Sequence, residues 1–263
     1  MKSILRATYL TIFIFIAGCA SPSINIEPEL PSKNTDPFAL SSEEKTWLAS
    51  HPNIKLAPDP DFIPIEYFDE DGNYKGIAAD YLALIEERLG IKFDIVRLKN
   101  WKEIIAQTKA GKVDMWGAAR TTPQRLRYMM FTKSYIQIPA GIFVSKEVQG
   151  SIKVSQLDGE KVSIPSGYAT QDYIENHHPN IKLDLVPNNS AALQRVSSGK
   201  SKAFIGNVVL ASYYIQREGI KNLRIASQPG INYNWGFATR KDWPILNHIL
   251  QKTIDAIEAD EEG

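Results

Sequence analysis

The sequence predicts an α/β protein of two similar lobes, with mainly parallel sheets flanked by helices and a cleft between the lobes. Two observations support this prediction: strand-like apolar runs alternate with amphipathic helical segments, and one strand–helix–strand unit occurs twice. The chain has 263 residues, of which 43% are hydrophobic. A chain of this size and composition can bury a substantial core.

The alternation of elements begins after a helix start at Ser41. Ser41 and Glu44 have the spacing of a capping box ahead of a helix. The elements predicted next are a strand at 54–57, a helix at 78–89 stopped by Gly90, a strand at 91–98, a helix at 101–109 and a strand at 113–116. Further strands are predicted at 162–164 and 203–205. This βαβ succession favours parallel sheets covered by helices.

The internal repeat pairs segment 91–96 with segment 181–186. Each copy is followed by a helix, then by Gly-Lys at 111–112 or 199–200, then by an apolar strand that ends at Gly117 or Gly206. Chance similarity between two βαβ units is the alternative interpretation. The repeat favours two lobes of similar architecture, which we place at 41–140 plus 232–263 and at 141–231.

The first 19 residues have the pattern of a targeting segment. Lys2 and Arg6 precede a short apolar run at 9–16, and Ile-Ala-Gly leads into Cys19. The apolar run is short for a membrane-spanning helix. The pattern resembles the lipobox of bacterial lipoproteins, which implies that Cys19 is acylated; an ordinary signal peptide with a chance cysteine is the alternative. We therefore expect a lipid-anchored envelope protein with a flexible tether at 20–40.

The composition excludes several classes of partner and cofactor. The chain carries 30 basic and 30 acidic residues, which gives no basic excess for nucleic acid. Cys19 is the only cysteine, so no internal disulfide can form. The four histidines lack the additional ligands that a zinc site needs. We expect a monomer with no metal and no cofactor.

Four loops follow predicted strands, where ligands bind in open α/β sheets: 59–62, 117–125, 166–170 and Asn207. They would meet in the cleft between the lobes. Thr122 and Thr170 are predicted to cap helix starts, whose free N–H groups favour an anion, and Arg125 adds a guanidinium that suits a carboxylate. Phe62 and Trp101 are cleft walls or core aromatics.

The motifs in these loops carry a family resemblance. The run Ala-Pro-Asp-Pro-Asp-Phe-Ile-Pro-Ile-Glu-Tyr at 57–67, Thr-Thr-Pro-Gln-Arg ending at Arg125, and Gly206-Asn207 resemble the bacterial extracellular solute-binding proteins of family 3. The segment at 41–48, which begins the folded part of the chain, resembles the related Venus-flytrap domains of sensor kinases. This resemblance, from about 41 to 263, implies a type II periplasmic-binding-protein-like fold that binds a small solute by hinge closure.

The resemblance also implies roles for individual residues. Arg125 would hold the ligand α-carboxylate with help from the helix start at Thr170, Phe62 would stack on the ligand, and Asp59 would border it. The remaining candidate ligand-binding residues are Trp101, Gly117, Arg120, Thr122 and Asn207.

Two of these candidates depart from the amino-acid-binding pattern. Asn207 stands in place of an aspartate that holds the α-ammonium, and Arg120 stands in place of a small hydroxyl residue. Together they move the charge of the pocket by about two units in the positive direction. A more acidic, carboxylate-bearing ligand is therefore expected.

Binding without chemistry is the function that the sequence favours, either for an ABC importer or as the input of a signalling partner. An enzyme resembling cyclohexadienyl dehydratases is the alternative, although the sequence places no nucleophile–base pair and no acid–base dyad. A further alternative is the N-terminal part of a larger sensor or lytic transglycosylase, since relatives usually continue beyond residues 255–263.

Overall fold

The computed structural model of the protein describes residues 38–261; the predicted lipidation site Cys19 and most of the tether lie outside this range. The helices are α1 (Ser42–Ser50), α2 (Ile77–Leu89), α3 (Trp101–Lys109), α4 (Ala169–His177), α5 (Asn189–Ser197), α6 (Val208–Arg217) and α7 (Pro244–Glu261). None of the helices in residues 38–261 has the length and apolarity needed to cross a membrane.

The strands are β1 (Lys55–Leu56), β2 (Asp61–Phe62), β3 (Glu66–Phe68), β4 (Tyr74–Lys75), β5 (Asp94–Ile95), β6 (Met115–Ala119), β7 (Met129–Phe131), β8 (Ile136–Ser145), β9 (Lys161–Pro165), β10 (Lys182–Val186), β11 (Ala203–Asn207), β12 (Leu223–Ser227) and β13 (Asn232–Arg240). The main sheet has the order β10-β9-β11-β8-β13-β6-β1-β5, with β12 paired to β8 and β7 paired to β13. A small antiparallel sheet has the order β2-β3-β4.

Two long strands, β8 and β13, connect the two halves of the main sheet. The strands β5, β1 and β6 pair in parallel on one side, and β10, β9 and β11 pair in parallel on the other. The start of β8 pairs with β13 up to Pro139, whereas Ala140 onwards pairs with β11. We call the half with β5, β1, β6, β7 and β13 lobe 1, and the half with β9 to β12 and the end of β8 lobe 2. The limits 140/141 and 231/232 within the crossing strands remain our proposal.

Each lobe has its own apolar core. In lobe 1, residues of β1 and β6 such as Leu56 and Met115 pack against Leu246 and Ile249 of α7. In lobe 2, Ile142 and Val162 lie in a cluster with residues of β11. The predicted two-lobe α/β architecture is confirmed, with parallel strands outside and antiparallel crossing strands between them.

The sequence repeat corresponds to equivalent units of structure. The first copy forms β5, α3 and β6, and the second forms β10, α5 and β11. In both, another strand lies between the two strands of the unit: β1 in lobe 1 and β9 in lobe 2. Asn100 and Asn188 cap the two helices in the same way, and Gly111 and Gly199 follow them with φ of 70° and 71°. Two lobes of similar architecture therefore explain the repeat.

The predicted ends of the helices are accurate where a capping residue marks them. The capping box of Ser41 and Glu44 is present, α2 ends at Gly90 in the left-handed region with φ of 64°, and α3 spans the predicted 101–109. The strand predicted at 91–98 is wrong in length, since only 94–95 pair. This segment lies at the sheet edge beside β1, which offers two residues for pairing.

Candidate ligand cleft between the lobes

The four loops predicted to carry the site meet between the lobes around a small cavity. Its volume is about 30 Å³, on the scale of a few water molecules and about a tenth of the smallest usual ligand pocket. The candidate residues among its walls are Asp59, Phe62, Trp101, Arg120, Arg125, Thr170 and Asn207.

Gly117 and Thr122 lie outside the walls of this cavity. Gly117 lies in β6, where a Cβ atom would collide with the Glu66 carboxylate and the Tyr74 hydroxyl. Its carbonyl accepts a hydrogen bond of 2.8 Å from the Tyr135 hydroxyl. The Thr122 hydroxyl donates to Asp172 Oδ2 in lobe 2 at 2.8 Å. Gly117 thus supports the floor of the cleft, and Thr122 bridges the two lobes.

The two predicted helix starts differ from expectation. The Thr122 hydroxyl accepts the Arg125 N–H at 3.3 Å, but only a 3₁₀ turn at Arg125–Arg127 follows, because the chain enters β7 directly afterwards. The predicted α-helix after Thr122 is therefore wrong, and the Thr122 hydroxyl caps the first N–H of a 3₁₀ turn instead.

The predicted capping role of Thr170 is also wrong. Helix α4 already begins at Ala169, and Tyr168 occupies the N-cap position without a side-chain cap. Thr170 lies inside the first turn instead, and its hydroxyl shares a hydrogen bond of 2.6 Å with the Tyr233 hydroxyl across the cleft.

Asn207 lines the cavity and has an unpaired donor. The residue is buried, and its Oδ1 accepts the N–H groups of Val209 and Leu210 at 2.8 and 2.9 Å as the N-cap of α6. These bonds fix the orientation of the amide, because a flipped amide would aim NH₂ at two donors. Nδ2 is buried and has no hydrogen-bond partner within residues 38–261.

Arg120 of lobe 1, which also lines the cavity, has a second unpaired donor. Its Nη1 is buried and lacks a hydrogen-bond partner in the described part of the chain. The guanidinium carbon lies 5.9 Å from the ring centroid of Tyr233. Arg120 also lines two neighbouring pockets, and the residue as a whole is half-buried. It therefore stands at the border between the inner cavity and solvent.

Arg125 is buried, and the protein already provides acceptors for its guanidinium. Nη1 donates to the Arg120 carbonyl at 2.9 Å, and Nη2 donates to the Gly167 carbonyl of lobe 2 at 3.0 Å. The indoles of Trp101 and Trp116 lie 5.1 and 5.6 Å from its guanidinium carbon, within the range of cation–π attraction. Burial lowers the pKa of Arg125 from its ordinary value.

Two buried carboxyl groups lie on the lobe 1 side of the cleft. Asp59 accepts a hydrogen bond of 2.5 Å from the Tyr168 hydroxyl of lobe 2, and burial raises the pKa of Asp59 to about 6. Behind it, Glu66 accepts from the Asp59 N–H at 2.9 Å and from the Tyr74 hydroxyl at 3.0 Å. Burial raises the pKa of Glu66 to about 8. Glu66 holds the loop that carries Asp59.

Aromatic rings form the apolar walls. Phe62 contacts Trp235 and Tyr168 edge to face, with ring centroids 4.8 and 5.9 Å apart. The Trp101 indole N–H donates to the Gly167 carbonyl at 3.0 Å. Phe62 and Trp101 are both buried, and both line the cleft. The two roles expected as alternatives, core aromatic and cleft wall, therefore hold together.

Sequence reasoning missed several residues of the cavity wall: Tyr168, Asn189, Tyr233 and Trp235. Tyr168 belongs to a loop that was singled out, and Asn189 follows the carboxyl end of β10, so strand-end position could have indicated both. Tyr233 and Trp235 lie in the crossing strand β13, where their alternation is indistinguishable from that of a core strand. No group of three or more His, Cys, Asp or Glu side chains in residues 38–261 is arranged to hold a metal.

The sequence model of the bacterial extracellular solute-binding proteins, family 3, matches residues 54–262. The chain belongs to this family. Among its relatives, the virulence sensor protein BvgS of Bordetella pertussis is 30% identical over 224 residues, which cover 85% of this chain and 18% of BvgS. The sensor protein EvgS of Escherichia coli is 27% identical over 226 residues, covering 86% of this chain and 19% of EvgS. The chain thus spans about a fifth of the length of these relatives.

Solved structures agree with this family. The periplasmic VFT2 domain of Bordetella pertussis BvgS superposes with a TM-score of 0.74 at 29% identity, covering 85% of this chain and 95% of that domain. The holo form of the arginine-binding protein ArgBP from T. maritima has a TM-score of 0.69 at 21% identity, covering 81% of this chain and 93% of ArgBP, and supports the fold. The predicted family and fold are confirmed.

Proposed function

We propose that the protein is an envelope-anchored solute-binding protein that captures a small carboxylate-bearing solute by a hinge motion of its two lobes. The observation that carries this proposal is the pair of buried, unpaired donors on two residues that line the cavity, Arg120 Nη1 of lobe 1 and Asn207 Nδ2 of lobe 2. A buried donor without an acceptor is unfavourable by about 1–3 kcal/mol. A ligand carboxylate supplies acceptors for both donors.

The charges of the cleft favour the same class of ligand. Arg120 and Arg125 contribute two positive charges, against one carboxyl group at Asp59, and the Asp59 carboxyl already accepts the Tyr168 hydroxyl. An aspartate at position 207 with the same cap would have a second carboxylate oxygen where Asn207 has its NH₂ group. The amide therefore suits an anionic group, whereas an aspartate would suit an ammonium group.

For the role in the cell, we propose the input of a signalling partner, with delivery of the solute to an ABC importer as the alternative. The sensor proteins are 27–30% identical to this chain over most of its length, whereas the histidine-binding periplasmic protein of Escherichia coli is 22% identical over 238 residues. These relatives are binding and sensor proteins, which supports binding without catalysis.

Calorimetry with succinate, L-glutamate and L-arginine tests the ligand class. We expect the acids to bind the wild type, and Asn207→Asp and Arg120→Gln to weaken that binding at least tenfold, because each removes a buried donor from a charged acceptor. Arg217→Gln is a matched control: it removes a positive charge from the exposed far end of α6. Tight binding of L-arginine that Asn207→Asp leaves unchanged would show that the charge argument is wrong.

A further inference from the structure

The carbonyl oxygen of Gly167 in lobe 2 is held by two donors of lobe 1. Trp101 Nε1 and Arg125 Nη2 each donate to it at 3.0 Å. Both donor side chains are 4% exposed. Hydrogen bonds in such a buried setting are stronger than at the surface, and the bond from a guanidinium is charge-assisted.

The loop around Gly167 fits closely against the Trp101 and Ile105 side chains of lobe 1. Gly167 has φ of +81°, and a Cβ atom there would lie 2.9 Å from Ile105 Cδ1 and 3.5 Å from Trp101 Cδ1. Its own N–H donates to Gln171 Oε1 at 2.8 Å, which fixes the peptide from the lobe 2 side. Only glycine combines this backbone conformation with so close an approach of the two lobes.

Further hydrogen bonds also join the two lobes. Asp59 accepts from Tyr168, Asp172 accepts from Thr122, and the Asp61 carbonyl accepts from the Tyr214 hydroxyl at 3.0 Å. With about 30 Å³ left in the cavity, the chain's own groups occupy the positions from which the lobes would grip a solute.

We propose that Trp101 and Arg125 form a latch on the Gly167 carbonyl that favours the closed arrangement of the lobes before any solute binds. The two donors belong to lobe 1 and the acceptor belongs to lobe 2, so both hydrogen bonds are lost when the lobes separate.

Spin-label distance measurements on the full chain test the latch without any solute. Cys19→Ser leaves the chain without a cysteine, and Glu87→Cys and Lys221→Cys place one label on an exposed position of each lobe. The distribution of label distances then reports the ratio of open to closed molecules.

Trp101→Phe removes the indole donor but keeps an aromatic ring, so we expect the open-to-closed ratio to rise about fivefold, as for the loss of one hydrogen bond. Gly167→Ala should raise it further, because the added Cβ meets Ile105. Trp47→Phe is the matched control, since Trp47 packs against Trp243 within lobe 1 and is not among the cavity walls, so its loss should leave the ratio unchanged. If Trp101→Phe and Gly167→Ala both fold by circular dichroism and keep the wild-type distribution, the latch is refuted.

Discussion

At Asn207 the chemistry of the cleft wall depends on two backbone N–H groups at the start of α6. They bind Oδ1 and leave Nδ2 buried without a hydrogen-bond partner. The same cap made by an aspartate would leave a carboxylate oxygen there. The change of one atom, from oxygen to nitrogen, therefore replaces a hydrogen-bond acceptor by a donor. The geometry of the helix start fixes the side-chain orientation in both cases.

Glu66 illustrates the opposite case, a buried acid that serves the scaffold. Both of its oxygens accept hydrogen bonds from lobe 1, and it is fully buried. Burial raises the pKa of Glu66 from 4.5 to about 8. An acid whose pKa is raised on folding stabilises the fold fully below its unfolded pKa, and that stability is lost as the pH rises through the folded pKa.

Glu66→Gln should therefore flatten the dependence of stability on pH. Between about pH 6.5 and pH 8, above the folded pKa of Asp59, the wild type should lose about 1–2 kcal/mol more unfolding free energy than the variant. Urea denaturation at both pH values measures this difference, with the exposed Glu87→Gln as control. Parallel pH profiles for wild type and Glu66→Gln would contradict the assignment.

At the scale of elements, the two copies of the repeat differ in what their cap residues contact. Asn100 and Asn188 each accept the N–H of the residue three positions ahead, at 3.0 and 2.9 Å. Asn188 alone also reaches the other lobe, where its Nδ2 donates to Asp61 Oδ2 at 3.3 Å. The same helix start is thus structural in lobe 1 and part of the interface in lobe 2.

Asn100→Ala should lower the unfolding free energy by about 1 kcal/mol through the lost cap. Asn188→Ala should lower it by more, because an inter-lobe hydrogen bond is lost as well. Equilibrium urea denaturation compares the two, and Asn100→Asp, which keeps an acceptor at the cap, should remain near wild type. An effect of Asn188→Ala equal to or smaller than that of Asn100→Ala would argue against the inter-lobe contact.

At the scale of the whole molecule, two long strands carry both the connection and part of the site. β8 and β13 pair with each other where they pass between the lobes, and Tyr233 and Trp235 of β13 line the cavity. A hinge motion would therefore move the aromatic wall with lobe 1 and the Asn207 wall with lobe 2. This geometry links solute contact directly to the relative position of the lobes.

The lipid anchor is predicted from the sequence alone, since Cys19 precedes the described residues. Cys19→Ser should release the protein from the membrane fraction, because acylation of this cysteine would provide the attachment. Fractionation followed by mass spectrometry of the mature N-terminus measures this. Membrane association that persists in the variant, without lipid on the wild-type terminus, would exclude a lipoprotein.

The repeat, the family, the loops that form the cleft and several of the helices could be predicted from the sequence. Caps and glycines act over three or four residues, so α2, α3 and the capping box at Ser41 could be predicted locally. Strand ends point to one edge of each sheet, which placed Asp59, Arg120 and Asn207 together.

Only the tertiary structure decided which donors in the cleft are free. Arg125 was predicted as the carboxylate clamp, but its Nη2 donates to a carbonyl 42 residues away in sequence, in the other lobe. Arg120 and Asn207 keep unpaired donors instead. Hydrogen-bond pairing across a cleft depends on how closely two lobes approach, and no local pattern in the sequence encodes that distance.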